Sequence, residues 1–366
     1  MISGGDMVLE AFHINDSDAI RVPEQNLRRT VTDLFQSCGL TKEDAELGAD
    51  VLISSDLRGV DSHGVSNMLR NYITRYQDGS MKPRPNWKIV REAAATATID
   101  CDEGLGIIIA PKAMEIAIEK AKNTGIGVVT MSNGRHVGMA AYHAMMALKH
   151  DMIGLCMTAP GAGTLPTFGA EPRLGTNPIA VAAPTKNEPP FVFDAATSSV
   201  AINKINLAKR MDVAIPGGLI ADNQGTPILT EGKVPEDFKL LPTGGTREQG
   251  SHKGYGLAMV VEILCSILSA SGFAAMNERG VTQHFVTAYN VEAFTDVNEF
   301  KETMDKFLIA MRTTPPAPGH KEVIFPGQIE AIEEIERRKN GIPLHSEVIE
   351  WFDTICKELS VKGLFE

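Results

Sequence analysis

Residues 55–76, SDLRGVDSHGVSNMLRNYITRY, place four groups suited to acid/base or anion chemistry within six positions. These groups are Arg58, Asp61, Ser62 and His63. The apolar spacing that follows them predicts a helix that begins near Ser62. Polar residues at such a helix entrance either cap the helix or include a catalytic group on which the helix dipole acts.

His63 is the residue of this stretch best suited to proton transfer. A histidine at a helix N-terminus feels the positive end of the dipole, which disfavours the imidazolium. Such a histidine stays neutral near pH 7 and can accept a proton. The alternative is that Ser62 caps the helix and His63 is an ordinary exposed residue of its first turn. The stretch by itself leaves both interpretations open.

Three other segments carry polar residues in places suited to ligand binding. His136 lies in SNGRHVGMAAYH, between a predicted strand and a predicted helix, where a turn of small residues can hold an anion. Asp194 ends the apolar run FVFDA, and ligands of α/β proteins bind at such strand ends. Lys253 lies between glycines in GSHKGYG, which suits a phosphate or carboxylate. The structural alternatives are a glycine loop, a strand end that caps the next helix, and a glycine-hinged helix start.

Several common catalytic fingerprints are missing. GLGIII and GAGTLP both lack the third glycine of GxGxxG, so motif logic does not predict a Rossmann fold. The GxSxG motif of the hydrolase nucleophile elbow is also absent. His136, His143 and His150 recur every seven residues, whereas metal ligands on a helix prefer a spacing of three or four. We therefore expect no metal site.

Composition narrows the class of protein. The 366 residues include 35 basic and 46 acidic side chains, a net charge of −11 that argues against a nucleic-acid partner. The five cysteines are scattered and never spaced CxxC, which favours a reducing compartment. The first residues lack the features of a secretory signal. The longest apolar stretch, GLAMVVEILCSILSASGFAAM, is interrupted by Glu262 and serines, so we expect a buried helix and no membrane span. These features together predict a cytoplasmic protein.

Helical patterns at both ends of the chain enclose a mixed α/β part. Two helices precede residue 62, one ended by Gly39 and one capped by Thr41. Strand-like runs and helices follow, from NWKIVRE to QHFVTAYNVEAF, and VGMAAYHAMMALKHD among them predicts one helix. Three helical patterns end the chain. In the second, glutamate and arginine recur four residues apart, as on a solvated helix face (Glu333 and Arg337, Glu334 and Arg338).

Six segments, in order along the chain, resemble one family. They are DLRGVDSHGVS, GVVTMSNGRHVGMAAY, LGTNPIAVAAP, FVFDAATSSVA, HKGYGLAMVVEIL and FPGQIE. Together they are similar to the type-2 malate/L-lactate dehydrogenases, and the similarity runs from about residue 20 to the C-terminus. That family also includes ureidoglycolate, sulfolactate, diketogulonate and cyclic-imine oxidoreductases.

The resemblance implies hydride transfer with NAD, or with NADP, on a non-Rossmann fold, which accounts for the missing fingerprint. The implied fold class is α/β (α+β), with a mixed-sheet, cofactor-binding domain at residues 86–314. The implied helical domain is built from both chain ends, residues 1–85 and 315–366. The resemblance also implies a homodimer whose active sites lie near the subunit interface.

Matched by motif, the functional residues of the family fall on defined positions. The resemblance implies that His63 is the general acid/base, that Ser62 is its neighbour in a relay, and that His136 and Asp194 are further catalytic candidates. The residues expected to contact the cofactor are His136, Gly138, Thr158, Asp194, Ala195, Ala196, Thr197, Lys253, Gly254, Pro326, Gly327 and Gln328.

The clearest departure from the family pattern concerns the substrate. The family usually has an arginine four residues after the histidine, where this chain has Asn67, and the stretch to Tyr72 is one residue longer. An amide can hydrogen-bond a carboxylate but cannot neutralise it. We therefore expect Arg70, two turns after His63, to replace this arginine, beside Arg58. The alternative is that Arg70 points to solvent. The expected substrate residues are Arg58, Asn67, Arg70 and Tyr72.

Two smaller departures concern the cofactor. The loop motif reads Arg135-His136 where the family usually has Asn-His. A strand expected to end in Thr-Asn ends in Thr158-Ala159. These differences leave the choice between NAD and NADP open, with NAD as the first choice.

The sequence therefore predicts an NAD(P)-dependent 2-hydroxyacid dehydrogenase, with malate and oxaloacetate as first choice and no nucleic-acid or membrane partner. His63 would take the hydroxyl proton during oxidation and return it during reduction. One alternative is a reductase of another 2-oxo acid, of the lactate, sulfolactate or ureidoglycolate type, or of a cyclic imine. The others are a metal-dependent lyase or aldolase that uses the histidines, and a ligand-binding protein without activity.

Overall fold

A seven-stranded mixed sheet lies at the centre of the molecule. The computed structural model describes residues 19–276 and 280–366. Its strands are β1 (Ala19–Val22), β2 (Lys88–Glu92), β3 (Thr96–Asp100), β4 (Ile126–Gly134), β5 (Met152–Ala159), β6 (Ile179–Ala183), β7 (Phe191–Ala195), β8 (Ala214–Ile215), β9 (Ile220–Ala221), β10 (Gly232–Lys233), β11 (Lys239–Leu240), β12 (Thr282–Asn290) and β13 (Ile342–His345). The central sheet has the order β2-β3-β4-β12-β5-β6-β7, and only β3 and β4 are parallel neighbours in it.

Ten α-helices accompany the strands in the described residues. They are α1 (Glu24–Ser37), α2 (Lys42–Leu57), α3 (Val65–Gln77), α4 (Gly106–Thr124), α5 (Ala140–Met145), α6 (Ile202–Met211), α7 (Ser251–Glu262), α8 (Val297–Arg312), α9 (Gln328–Asn340) and α10 (Ser346–Glu358). As the sequence predicted, the left-handed Gly39 (φ 94°) follows α1, and the Thr41 side chain accepts the amide hydrogen of Asp44 at the start of α2.

The two ends of the chain meet, and they share a core with the sheet. Strand β1 pairs antiparallel with β13, which joins the N-terminal helices to α9 and α10. Leu34 of α1, Val129 of β4 and Phe352 of α10 belong to one cluster of buried apolar side chains. The division into residues 86–314 and a helical domain from both ends remains a prediction, because this core extends across the proposed boundary.

The helix predicted from VGMAAYHAMMALKHD is shorter than expected. Helix α5 is followed by a 3₁₀ turn at Leu148–His150 and by Asp151 in the left-handed conformation (φ 54°). The chain then reverses into β5, where Gly154 packs so closely on the Ala144 carbonyl that a Cβ would collide with it. The helix ends early because the chain must turn there for β5 to join the sheet.

The helix expected to be buried has one exposed apolar face. Helix α7 continues into a π-helical turn at Ile263–Ile267. Val261 and Cys265 are buried against the sheet, whereas Leu257 and Leu268 are 49% and 57% exposed. The expectation of a fully buried helix is wrong for the single chain, because only one face of the helix packs on the sheet. No helix in the described residues is long and apolar enough to cross a membrane.

Candidate active site

His63 lies in a tight turn directly before α3. A 3₁₀ turn covers Asp61–His63, and Gly64 occupies the N-cap position without a side-chain cap. The amide of Val65 donates instead to a carboxylate oxygen of the buried Asp56, over 2.9 Å. The alternative in which Ser62 caps the helix is therefore wrong, because the cap is supplied by a residue of α2.

The Ser62 hydroxyl contacts the catalytic candidate instead. Ser62 Oγ lies 2.9 Å from Nδ1 of His63. The His63 ring is half-buried, and its desolvation lowers the pKa to about 4. His63 is therefore neutral at pH 7. His63 thus has the neutral state expected from the sequence. The main cause is burial of the ring, whereas the sequence had suggested the helix dipole.

His136 stands opposite His63, and the two rings are nearly parallel. Their centroids are 5.7 Å apart and their planes differ by 16°. Nδ1 of His136 lies 2.6 Å from the Tyr72 hydroxyl and accepts from the Gly138 amide over 3.3 Å. A backbone amide can only donate, so Nδ1 is unprotonated and the neutral ring carries its hydrogen on Nε2. Burial, with the nearby rings of His63 and His284, lowers the pKa of His136 to about 3.

His284, a residue that sequence analysis missed, lies behind the His136 loop. It is fully buried, and its Nε2 lies 3.0 Å from the carbonyl oxygen of Arg135. Its Nδ1 lies 2.8 Å from Oγ1 of Thr158 at the end of β5. The ring thus joins the loop of His136 to the strand end that holds Thr158. The available signal was a histidine inside the otherwise apolar strand run QHFVTAYN.

Asp194 lies at the end of β7, as the sequence predicted. One carboxylate oxygen accepts the amide hydrogen of Ala141, over 2.7 Å, which ties β7 to the helix that follows His136. Solvent reaches the side chain although protein surrounds it on most sides. This partial desolvation raises the pKa of Asp194 to about 6, although the amide hydrogen bond opposes the shift. Asp194 is therefore held beside the start of the helix that follows His136.

Several other cofactor candidates lie beside β7 or the segment that follows it. The Pro326 carbonyl accepts from the Val192 amide on β7, over 3.1 Å. Thr197 accepts from the Thr243 amide over 2.8 Å, and Thr243 packs on Gly254. These contacts place Pro326 at the start of β7 and Gly254 beside the segment that follows β7. Ala195 and Ala196 are half-buried there, Gly327 (φ 95°) begins α9 with Gln328, and Lys253 is exposed in the first turn of α7.

The substrate candidates separate into two groups. Tyr72 contacts His136, and Asn67 donates to the Asp61 carbonyl, over 2.7 Å, beside the His63 turn. Arg58, in contrast, is buried and pairs with Glu334 of α9, over 3.1 Å. Tyr72 and Asn67 thus remain near the acid/base candidate, whereas the Arg58 guanidinium is held by a helix.

Arg70 lies away from the His63 turn. Its guanidinium lies over the Trp351 ring, 5.4 Å from the centroid, and is 3.7 Å from a carboxylate oxygen of Glu347. About half of the side chain is exposed. The placement corrects the carboxylate-clamp assignment, because Arg70 and Tyr72 are two residues apart on α3 and point to different sides of it.

The metal alternative has no support in the described ranges. No group of three or more His, Cys, Asp or Glu residues within them is arranged to hold a metal ion. The histidines that come together are His63, His136 and His284, and their ring nitrogens are hydrogen-bonded to hydroxyl groups and backbone groups. The arrangement therefore suits proton transfer between neutral groups.

Comparisons with known proteins match the chain to dehydrogenases along nearly its whole length. A family model described as malate/L-lactate dehydrogenase matches residues 22–353. A malate dehydrogenase of Pyrococcus abyssi is 39% identical over 355 residues, covering 95% of this chain and 98% of the relative. An L-sulfolactate dehydrogenase of Methanocaldococcus jannaschii is 38% identical, covering 92% and 96%. The structure of malate dehydrogenase from Pyrococcus horikoshii OT3 matches with a TM-score of 0.87 and 36% identity, over 96% of this chain and 99% of that chain.

The chain belongs to the malate/L-lactate dehydrogenase family. It is therefore an oxidoreductase that acts on a CH–OH group. The resemblance carried by the six sequence segments is confirmed, and so is the mixed α/β class.

Membership of this dehydrogenase family implies a nicotinamide cofactor. The residues present fit such a group. His63, His136 and Asp194 are surrounded by protein but remain open to solvent, as expected of side chains that line a ligand site. Lys253 adds a cation at the first turn of a twelve-residue helix, which suits a phosphate.

Proposed function

We propose that this protein oxidises a small 2-hydroxy acid to the 2-oxo acid, and catalyses the reverse reduction, with malate and oxaloacetate as the preferred pair. The observation that carries the proposal is the facing pair of neutral histidines, whose ring centroids are 5.7 Å apart. The malate and sulfolactate dehydrogenases among its relatives support a small acid as substrate.

The two histidines would have complementary roles. His63 can donate from Nδ1 to the Ser62 hydroxyl, which leaves the lone pair of Nε2 to accept the substrate hydroxyl proton. His136 carries its hydrogen on Nε2, so it can donate a hydrogen bond to the same substrate oxygen. The nicotinamide ring, when bound, supplies the hydride acceptor or donor.

The low pKa of His63 suits oxidation, in which the ring must accept a proton. Reduction requires the protonated ring, which a bound substrate would favour. With a pKa of about 4, nearly all of the enzyme carries His63 as a base at neutral pH. A bound carboxylate places a negative charge in the site and raises the pKa of both rings, which favours the protonated acid needed for reduction. We place Asn67 and Tyr72 in contact with the substrate, because they flank the histidines.

Within the family, another substrate is the second candidate. The 38% identity to an L-sulfolactate dehydrogenase favours testing a sulfonated acid beside the dicarboxylate. Asn67, where the family usually has arginine, is the residue that supports this alternative. A cyclic imine is a third substrate class, supported by the resemblance alone.

We assign NAD as the first cofactor and NADP as the alternative. The contact residues would be His136, Gly138, Thr158, Asp194–Thr197, Lys253–Gly254 and Pro326–Gln328. Their support is the family resemblance, together with the contacts that join β7 to the helix after His136, to Pro326 and, through Thr243, to Gly254. Thr158 is joined to the His136 loop by His284.

We further propose that the protein is a homodimer that works in the cytoplasm. Helix α7 and its π-helical turn present Leu257, Val260, Ile263, Ile267 and Leu268 to solvent, each at least 44% exposed. A second copy of the chain would cover this face, next to Lys253. Replacing Leu257 and Val260 with aspartate should convert a dimer into a monomer in light scattering. The five free cysteines support a reducing compartment.

The deciding experiment measures turnover and cofactor binding together. Malate, lactate and 3-sulfolactate are assayed with NAD and with NADP, and the 2-oxo acids with NADH and with NADPH. Thermal unfolding is followed with each reduced cofactor, because a ligand at about 100 times its Kd adds about 2.7 kcal/mol of stability. The proposal fails if neither cofactor raises the unfolding midpoint at millimolar concentration and no acid changes the nicotinamide absorbance.

A further inference from the structure

The buried side chain of Arg337 contacts the turn that carries His63. Arg337 is a residue of α9, and only 4% of it is exposed. Its Nη1 lies 2.6 Å from a carboxylate oxygen of Asp61, and its Nη2 lies 3.3 Å from the other. Nη1 also donates to the backbone carbonyl of Asp56, over 2.6 Å, and Nε donates to Glu333 over 3.1 Å. The solvated helix face predicted from the Glu–Arg spacing is therefore wrong for Arg337.

Asp56 of α2 contacts the residues that follow the same turn. Its side chain packs under Gly64 so closely that a Cβ at Gly64 would collide with it, and it caps α3 at Val65. Asn203 of α6 reaches the Ser62 carbonyl over 3.3 Å. The turn and the start of α3 are thus held by three helices that are far apart in sequence, namely α2, α6 and α9. The contact from α9 is the charged one, between Arg337 and Asp61.

We propose that Arg337 is a positioning residue that fixes the His63 turn, so that His63 keeps its place opposite His136 and stays shielded from water. This inference rests on the proposed role of His63 as the acid/base. The guanidinium fork binds both oxygens of Asp61, which is two residues before His63, and so restrains the rotation of the turn. Without it, the turn would loosen and the His63 ring would gain water.

The predicted consequence is a change in the protonation of His63. Burial holds the pKa of His63 at about 4, and hydration would move it toward its ordinary value of about 6.5. The charged or titratable groups around the turn are Asp61, Arg337 and Glu333 on one side and Asp56 beneath Gly64. His136 lies across the site and is hydrogen-bonded to Tyr72. On α6, Lys204 follows Asn203 in the sequence.

Arg338 provides a matched control. It follows Arg337 on the same helix and also forms ion pairs, with Glu334 and Glu24, but its side chain is 49% exposed and is not hydrogen-bonded to the His63 turn. Removing either arginine deletes one charge from α9. Only Arg337→Gln should change the chemistry of His63.

The test compares Arg337→Gln, Arg337→Lys, Asp61→Asn and Arg338→Gln in the full chain. Oxidation kinetics are measured from about pH 5 to 8, with thermal unfolding and NADH binding on the same samples. For Arg337→Gln we expect kcat to fall roughly 10- to 100-fold, because small displacements of a reacting group are costly. The acid limb of kcat/KM should rise to an apparent pKa of about 6, and NADH affinity should stay within about twofold. Lysine should restore part of kcat, and Arg338→Gln should match the parent.

The outcomes separate this inference from the proposed function. If Arg337→Gln does not fold, Arg337→Lys and Asp61→Asn carry the same comparison of pH profiles. Unchanged acid limbs in every folded Arg337 and Asp61 variant would overturn the positioning role, even if those variants unfold at lower temperature. The proposed function would survive unchanged acid limbs in these variants, provided that His63→Ala is inactive in the same assay. A fully active His63→Ala enzyme would instead overturn the acid/base role of His63, and with it this inference, while the oxidation of the acid itself would stand.

Discussion

The two histidines of the candidate site face each other but are held by different chemistry. The His63 turn is fixed by the ion pair between Asp61 and Arg337. The buried Asp56, whose pKa is raised well above its usual range by burial, accepts the Val65 amide. The His136 ring is contacted by neutral groups, namely the Tyr72 hydroxyl and the Gly138 amide, and the His284 ring lies behind the Arg135 carbonyl. The Arg135 side chain of the same loop pairs with Glu103, over 3.3 Å. The turn that carries His63 is thus held by an ion pair to another helix, whereas the His136 ring itself is held by hydrogen bonds to neutral groups.

The two sides should therefore lose different amounts of stability when one of their contacts is removed by mutation. Removing one partner of a buried ion pair leaves an uncompensated charge, which typically costs about 3–5 kcal/mol. Removing one neutral hydrogen bond typically costs about 0.5–1.5 kcal/mol. The neutral side depends instead on which nitrogen of each imidazole carries the hydrogen, and therefore on every histidine staying unprotonated. The predictions below test the two sides against each other.

The largest effect is expected for His63→Ala. A positioned acid/base contributes roughly 10²–10⁴-fold to turnover, so kcat should fall by this factor while NADH binding stays nearly unchanged. Lys253→Ala should do the reverse and weaken cofactor binding first. Steady-state kinetics and thermal shifts with NADH measure both. Turnover of His63→Ala within about threefold of the parent would exclude His63 as the acid/base.

A smaller loss is expected for Tyr72→Phe on the neutral side. The change removes the hydroxyl that contacts Nδ1 of His136, while the Gly138 amide remains. We expect kcat to fall about tenfold, the equivalent of one hydrogen bond. Tyr76→Phe is the control, because the Tyr76 hydroxyl is buried in the described structure without a hydrogen-bond partner. Equal kinetics in the two phenylalanine variants would show that the Tyr72 hydroxyl does not act on His136.

The third prediction concerns stability against pH. Burial lowers the pKa of His284 to about 3, below its value of about 6.5 in an unfolded chain. The unfolded chain therefore binds the proton first, and this stabilising contribution is complete above about pH 6.5 and lost as the pH falls toward 3. His284→Gln should reduce the slope of unfolding free energy between about pH 6 and 5 by about 1.4 kcal/mol per pH unit.

Urea unfolding at several pH values measures that slope. His320→Gln, which replaces an exposed histidine, should leave it unchanged. The prediction fails if His284→Gln and the parent lose stability in parallel as the pH falls. The raised pKa of Asp194 acts in the opposite direction, because it adds stability as the pH falls. The difference in slope between variant and parent is therefore more informative than the absolute slope.

The smallest effect is expected for Arg70→Ala, and it contradicts the expectation from the sequence. The Arg70 side chain lies against Trp351 and Glu347, outside both sides of the site. The kcat/KM values for oxaloacetate and pyruvate should stay within about threefold of the parent values, because a surface ion pair contributes only about 0–1 kcal/mol. A selective loss on the dicarboxylate would restore Arg70 as the carboxylate clamp.

Sequence patterns predicted local structure well and long-range contacts poorly. The helices at Glu24–Ser37 and Lys42–Leu57 and the strand at Phe191–Ala195 follow from spacing and capping, which are local properties. The cap of α3 did not follow, because its donor is Val65 and its acceptor is Asp56, nine residues earlier. His284 was missed because its partners, Arg135 and Thr158, are more than 100 residues away.

The sequence by itself determined the family, the order of the elements and most of the polar residues at the candidate site. Six short segments sufficed, since backbone turns and polar groups at fixed spacings leave a direct trace in the sequence. Only the tertiary structure decided what each charged side chain does. Arg70 and Arg337 are both arginines on amphipathic helices, but one lies at the surface and the other is buried on the His63 turn. That difference depends on which helices pack together, because a side chain's burial and partners are set by residues distant in sequence.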